Sequence, residues 1–271
     1  MTTGISLIVP AWNEEKRIGA SLTMYLSALK SIGTPFEVLV VIDGVGDRTG
    51  EIARSFAADH VEVLEFPTQL GKGGAVVAGV AAAQYDIVGY LDADSPITRE
   101  DIHQLVSSIP SADATIGSRR LRESKVTGKV PLSRRVFRVL FNALTRSVLG
   151  LPFRDTQCGA KFFRAAAIRP ILPRIKLRGW AFDAAILYAI RKSGGTIREI
   201  PVTWNYDDDS KLPLAEQVPV MFLSVFFIRI VNLSIIDRLP ERLKWWFASN
   251  FMRRTVMSNQ IIQAALFGSG A

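Results

Sequence analysis

The sequence predicts an α/β protein built on a mostly parallel sheet with helices on both faces. Three observations carry that prediction. Short apolar runs alternate with helix-length segments four times in the first hundred residues, and the loops that bear acids or glycines each follow one of those runs. Two carboxylates, Asp92 and Asp94, close the fourth run, Ile87 to Leu91. In an open parallel sheet, such loops gather at the edge where ligands bind.

Ile5 to Pro10 is expected as the first strand. It leads through Pro10-Ala11-Trp12-Asn13-Glu14-Glu15 into a helix that runs to Ser31, its early acids suiting a helix start. Glu37 to Ile42 reads as a second buried strand, closed by Asp43-Gly44-Val45-Gly46-Asp47 and followed by a helix over Thr49 to Ala58. Val61 to Phe66 is a third strand, after which Gly71-Lys72-Gly73-Gly74 opens an Ala- and Val-rich helix to Gln84. Beyond the fourth strand, Ala112 to Gly117 is another apolar strand. Arg119 to Arg138 then carries eight basic residues opposed only by Glu123, and leads into the helical pattern of Arg134 to Leu149. The stretch Asp155-Thr156-Gln157-Cys158-Gly159-Ala160-Lys161-Phe162-Phe163 comes next. Trp180-Ala181-Phe182-Asp183 starts a helix to Lys192, and Ile197 to Trp204 is strand-like, ending in Asn205-Tyr206-Asp207-Asp208-Asp209-Ser210-Lys211.

Bulk properties narrow the function. The 271 residues suffice for one large α/β domain, with or without an appendage, and the net charge of +8 favours phosphates, nucleic acid or an anionic membrane. Nucleic acid is disfavoured, because the aromatics are not interleaved with the basic residues and no RNP, zinc or homeodomain pattern occurs. The lone Cys158 excludes internal disulfides and suits a reducing compartment. Met1 to Gly4 runs straight into a strand, so no signal peptide is expected. His60 and His103 are isolated and are expected at the surface; no Ser-His-Asp arrangement occurs.

At the end of a buried strand, Asp92 and Asp94 emerge together and offer two hard oxygen ligands to one divalent cation. Mg2+ or Mn2+ would keep several waters there and bind the phosphates of a nucleotide. The same acids also fit a turn or the cap of a helix beginning at Asp94-Ser95-Pro96. Gly71-Lys72-Gly73-Gly74 lacks Walker spacing, and no Gly-x-Gly-x-x-Gly follows the first strand, which weakens ATPase and dinucleotide readings. A helix N-terminus with a lysine can still hold a diphosphate through N–H groups and charge, or serve only as turn and cap.

In that order, Ile8-Val9-Pro10-Ala11-Trp12-Asn13-Glu14-Glu15, Asp43-Gly44 with Asp47 and Thr49, Gly71 to Ala75, Asp92-Ala93-Asp94, Gly117-Ser118-Arg119, Asp155 to Gly159 and Ser210-Lys211 resemble family-2 glycosyltransferases of GT-A fold. Within that family the likeness is to the polyprenyl- and dolichyl-phosphate hexosyltransferases, glucosyl before mannosyl, over residues 5 to 236. The resemblance implies that Pro10, Trp12, Glu14 and Asp43 hold the nucleobase and ribose, that Lys72 and Gly73 lie by the donor, and that Asp92 and Asp94 position the metal and diphosphate, Asp94 as the direct ligand. Two departures bear on the donor. Ile42 stands where the family often has a second acid before Asp43, and Ser95-Pro96 where mannose synthases commonly carry a Gln. UDP-glucose is the expected donor and GDP-mannose the alternative.

A lipid phosphate is already anionic and needs no general base, so the acceptor side calls for cations. Arg119, Arg134 and Lys211, with Gln157, are the candidates, and a single inverting displacement is expected. A prenyl acceptor also calls for a membrane surface. Gln217 to Ile236 is mostly apolar but includes Pro219, Arg229 and Asn232. Its length matches a span of about 20 residues, whereas a central arginine costs roughly 2.5 to 3.5 kcal/mol. With the basic and aromatic residues from Arg242 to Arg254, it reads as helices lying at the headgroup boundary; a buried core helix with a dimer-forming tail is the alternative. The expected organisation is a GT-A catalytic domain over 1–212 and membrane-associated helices over 213–271, with the catalytic domain on the cytoplasmic face. A soluble nucleotidyltransferase and a noncatalytic membrane-binding module are the readings of other classes. The sequence is silent on oligomeric state.

Overall fold

Continuous apolar strands of this kind persist only where both faces of a sheet are covered, and the computed structural model shows them covered. It describes residues 2–44, 46–94, 97–175, 177, 179–205 and 214–231. Strands β1 (Thr2–Ala11), β2 (Phe36–Asp43), β3 (Val61–Phe66), β4 (Tyr85–Leu91), β5 (Ala114–Ser118), β7 (Ala160–Arg164) and β8 (Ile197–Pro201) form one sheet in the order β3-β2-β1-β4-β7-β5-β8. All neighbours pair in parallel except β7, which runs antiparallel to both β4 and β5. A small parallel pair joins β6 (Lys125–Thr127) to β9 (Thr203–Asn205).

The pleat divides the core. Ile8, Leu39, Val41, Val88 and Tyr90 face one layer, which is completed by α3 (Lys72–Ala82), α5 (Leu132–Leu149), α6 (Ala165–Ile168), α7 (Phe182–Lys192) and α8 (Leu214–Val231). Leu7, Val9, Val38, Val40 and Leu91 face the other, under α1 (Ile18–Ile32), α2 (Thr49–Arg54) and α4 (Arg99–Ser107). Helix α1 buries Ile18, Leu22, Tyr25, Leu26 and Leu29 at helical spacing and stops at Gly33, whose φ of +74° suits glycine. A Thr98–Asp101 capping box starts α4.

Where the structure departs from the expected boundaries, a specific bond is responsible. Helix α1 begins at Ile18 instead of among Glu14 and Glu15, because Glu14 N–H donates to Thr49 Oγ1 and Glu15 N–H to Asp47, pinning the segment to the loop after β2. The helix after Asp47 stops at Arg54 and is followed by a 3-10 turn over Ala57–Asp59. The strand expected over Ile197 to Trp204 breaks after Val202: its N–H still donates to Ser118 O beside β5, but its carbonyl accepts from Lys125 N–H of β6 and Thr203 N–H donates to the Asp101 carboxylate.

Helix α8 covers much of the segment expected at the headgroup boundary, and one face of it is core. Met221, Ser224, Val225, Phe227 and Ile228 are buried, Phe222 packs on Phe137 and Phe141 of α5 with ring centroids 6.2 and 5.9 Å away, and Arg229 donates to Tyr188 of α7. Packing against the catalytic core therefore continues past residue 212. No helix among the described residues is long and apolar enough to cross a membrane. Lys211 and the stretch Arg242 to Arg254 lie outside the described residues.

Candidate active site

Strand β4 leaves the sheet at Leu91, and its period of two puts Tyr90 and Asp92 on the same side. The strap that follows is fixed by its backbone. Asp92 N–H donates to Gly159 O at 3.1 Å, Asp92 O accepts from Tyr25 Oη at 2.7 Å, and Ala93 O accepts from Ser21 Oγ at 2.6 Å. Gly159 lies so close that a Cβ there would sit 1.7 Å from Asp92 Oδ2. Across the edge, α3 opens with Lys72, whose Nζ reaches Asp92 Oδ1 at 2.9 Å and Asp183 Oδ2 at 3.1 Å. Gly73 lets Phe182 of α7 pack against the same turn, since its own Cβ would lie 2.6 Å from that ring.

Asp183 is buried and triply bonded. Its Oδ1 accepts from Tyr90 Oη at 2.6 Å and from Lys161 Nζ, which also donates to Cys158 O. Burial alone would raise the Asp183 carboxyl, but the Lys161 and Lys72 ammonium groups hold it down to about 2. Burial likewise works against the charge on Lys72, and Asp183 and Asp92 raise its pKa above the ordinary lysine range. Burial pushes the Cys158 thiol up to about 12, which leaves it inert as a nucleophile.

Asp94 has the opposite environment. Burial, then the Asp92 and Glu14 carboxylates, push it up to about 6 against the pull of Arg17 and Lys72. Arg17 Nη1 is 3.9 Å from Asp94 Oδ2, while its Nε bonds Glu14 at 2.8 Å. Carboxylates crowded in this way favour a bound cation. The donor set fits one: Asp92 and Asp94 supply hard oxygens, and no cluster of three or more metal-ligating side chains is present among the described residues, so water and ligand phosphate would complete the shell.

The other residues singled out in the sequence fall into two neighbouring groups. Asp43, at the end of β2, accepts from the N–H groups of Leu70 and Gly71 and so anchors the glycine loop; burial raises its carboxyl despite those bonds. Trp12, 44 % exposed, follows the end of β1 at Ala11 and lies near Gly44, where an added Cβ would be 3.9 Å from its ring, while Pro10 pairs with Val41 of β2. On the far side, Arg119 makes a two-pronged bond to buried Asp155 through Nε (2.6 Å) and Nη2 (2.8 Å), its backbone N–H adds a third, and its guanidinium lies 4.7 Å from the Trp204 ring centroid. Asp155 also accepts from Gln157 N–H, and Thr156 N–H donates to Asn142 Oδ1 of α5, tying that loop to the helix. Gln157 Nε2 is buried without a hydrogen-bond partner. Arg134 stands in the first turn of α5, half-buried.

The description Glycosyl transferase family 2 matches residues 6–172. The chain belongs to glycosyl transferase family 2. As a member it is a transferase enzyme of a family in which dependence on a divalent metal is common. It is 33 % identical over 251 residues to dolichyl-phosphate beta-glucosyltransferase ALG5A of Trichomonas vaginalis, covering 86 % of this chain and 76 % of the relative. Dolichyl-phosphate beta-glucosyltransferase of Drosophila melanogaster is 34 % identical over 77 % of this chain and 69 % of its own length. The fold is shared with glucosyl-3-phosphoglycerate synthase of Mycobacterium tuberculosis, solved with Mn2+, uridine-diphosphate and phosphoglyceric acid, at a TM-score of 0.58 and 21 % identity over 83 % of this chain and 78 % of that one. The family's GT-A sheet is thus the one seen here.

Within this family-2 site the structure joins Asp92 and Lys72 directly, with Gly73 next to Lys72 in the first turn of α3 against Phe182, and links Asp94 to Glu14 through Arg17. Arg119, expected to meet the acceptor phosphate, has two of its donor nitrogens on Asp155. The sequence reading did not single out the trio Tyr90, Lys161 and Asp183 as site residues. A tyrosine two residues before Asp92 on a buried strand was the available signal; Lys161 and Asp183 become visible only once β7 lies beside β4, with Tyr90 and Lys161 as cross-strand partners.

Proposed function

We propose that the protein transfers glucose from UDP-glucose to a polyprenyl phosphate of the dolichyl type, with inversion in one displacement. The observation that carries this reading is the Asp92 and Asp94 strap beside Lys72 at the sheet edge, in a chain whose relatives over most of its length are named dolichyl-phosphate beta-glucosyltransferases. Asp94 and Asp92 would hold Mg2+ or Mn2+, which supplies Lewis-acid neutralisation of the leaving diphosphate when bound. Lys72 adds a positive charge at the N-terminus of α3, where N–H groups also favour anions. Trp12, Pro10 and Glu14, with Asp43 anchoring the glycine loop, form the wall for nucleobase and ribose.

No residue needs to act as a base, because the attacking phosphate oxygen is already charged. Acceptor residues bind and orient instead. Gln157 Nε2 is a buried donor whose cost, about 1–3 kcal/mol when unpaired, is relieved by an incoming oxygen. Arg134 and Lys211 supply charge, and Arg119 holds the Asp155 to Gly159 loop while adding to the positive field near Asp92.

A membrane surface brings the lipid acceptor. Helix α5 supports that part of the reading: Leu132, Val136, Val139 and Leu140 are exposed at helical spacing, Leu132 to 75 %, with the exposed Arg135 among them. Attachment at the cytoplasmic face, with the nucleotide sugar supplied from that side, accords with a single buried thiol.

The test is a donor panel. Purified protein in detergent, given a short polyprenyl phosphate, Mn2+ or Mg2+ and one radiolabelled nucleotide sugar at a time, should form lipid-linked glucose from UDP-glucose. Asp94→Ala should lower the rate on the order of a hundredfold. A mannosyl product from GDP-mannose would reassign the donor, and no product from any donor would overturn the reading.

A further inference from the structure

Behind the donor loops lies a closed set of four charges, graded from interior to cleft. The side chains of Lys161, Asp183, Lys72 and Asp92 are 0, 2, 12 and 24 % exposed in that order, and each contacts the next. The set is neutral overall, so no uncompensated charge is buried. Lys161 is too deep to meet a ligand. Its ammonium, with Tyr90 Oη, instead saturates Asp183 Oδ1 and leaves Oδ2 directed at Lys72.

We propose that Asp183 is a positioning residue for the donor site, acting through Lys72: it fixes the Lys72 ammonium between two carboxylates, so that the cation facing the diphosphate is set in place before the donor arrives. The inference rests on the donor-site reading above. It also assigns Asp183 a role other than a base. Both its oxygens are occupied, Oδ1 by Lys161 and Tyr90 and Oδ2 by Lys72, whereas a base needs an oxygen within reach of the proton it removes. Without Asp183, Lys72 would be drawn to Asp92 alone and would neutralise a carboxylate needed for the metal. Preset charge of this kind contributes most in a partly closed cleft, because it need not reorganise during reaction.

The measurement is UDP affinity in the presence of Mn2+, by titration calorimetry, in a double-mutant cycle. Asp183→Asn should weaken UDP binding on the order of tenfold when Lys72 is present, and less than about twofold in a Lys72→Met background. Equal losses in the two backgrounds would mean a purely structural role and overturn the proposal. So would intact UDP affinity with turnover abolished and one limb of the pH–rate profile missing, which is the behaviour of a lost base. Should Asp183→Asn not fold, Tyr90→Phe removes one donor from Asp183 without changing charge. Its effect on UDP affinity should likewise vanish with Lys72→Met, and an effect that persists there overturns the proposal. Failure of the unsubstituted protein to bind UDP would instead remove the donor reading on which the inference stands.

Discussion

Glycine at 159 is required by a neighbour, not by its own backbone. Its missing Cβ leaves room for Asp92, whose Oδ2 would otherwise be 1.7 Å away and whose Cγ would be 2.2 Å away. Gly159→Ala must therefore displace the carboxylate or the loop. A shift of about 1 Å at a reacting site costs on the order of a hundredfold in rate, while overpacking costs roughly 1–3 kcal/mol of stability. The expected result is a Gly159→Ala protein that still unfolds cooperatively in urea but has lost most of its kcat/KM. Wild-type turnover in that variant would show that the strap tolerates movement.

Among the elements, the loop between α5 and β7 is held by a buried ion pair beside its bonds to Asn142 and Glu199. Burial opposes ionisation of Asp155, yet Arg119 holds its carboxyl below the usual range, and three donors from Arg119 converge on it. Asp155→Ala leaves a buried guanidinium uncompensated, and removal of one partner of such a pair costs about 3–5 kcal/mol. Urea unfolding should show a loss of that size, and Arg119→Met in the same background should recover part of it. The exposed apolar face of α5 makes a separate prediction: Leu132→Glu with Leu140→Glu should abolish sedimentation with anionic vesicles while leaving glucosyl transfer to a detergent-dispersed acceptor unchanged.

The central strands were legible in the sequence: Phe36–Asp43 and Tyr85–Leu91 extend their expected bounds by one or two residues, because near-continuous apolar runs ended by Asp admit few other readings. The edge strand Val61–Phe66 keeps its expected bounds although Glu62 and Glu65 are exposed. Strand β7 was not legible, since it buries a lysine, and a charge inside a strand is invisible to periodicity until its partner, Asp183, is known. Likewise Arg119 announced itself as a cation but not as a bound one. Its carboxylate lies in a loop that only the β5 to β8 pairing and the Glu199 contacts to Arg154 and Asp155 bring alongside.

For the molecule as a whole, acid is the revealing stress. Asp183 has a folded pKa of about 2 against an ordinary value of about 3.9 in an open chain. A depressed carboxyl stabilises the fold fully above the unfolded value and loses that contribution as pH falls through the folded one. Stability should therefore decline between about pH 4 and pH 2, with Asp155, also depressed, adding to the fall. Asp183→Asn should flatten that decline in urea midpoints taken across the same window; an unchanged slope would show that other carboxylates control acid unfolding.

The antiparallel insertion of β7 between β4 and β5 also has a temporal consequence. On a growing chain, β1 to β4 and the helices between them can assemble as soon as they emerge, and with them come Asp92, Asp94 and Lys72. Gly159, Lys161 and Asp183 are still unmade at that moment, as is Trp204, which later covers Arg119. The acidic strap is thus translated before the parts that anchor it, and on the proposed function the donor site is complete only once β7, α7 and the last strands have joined the sheet.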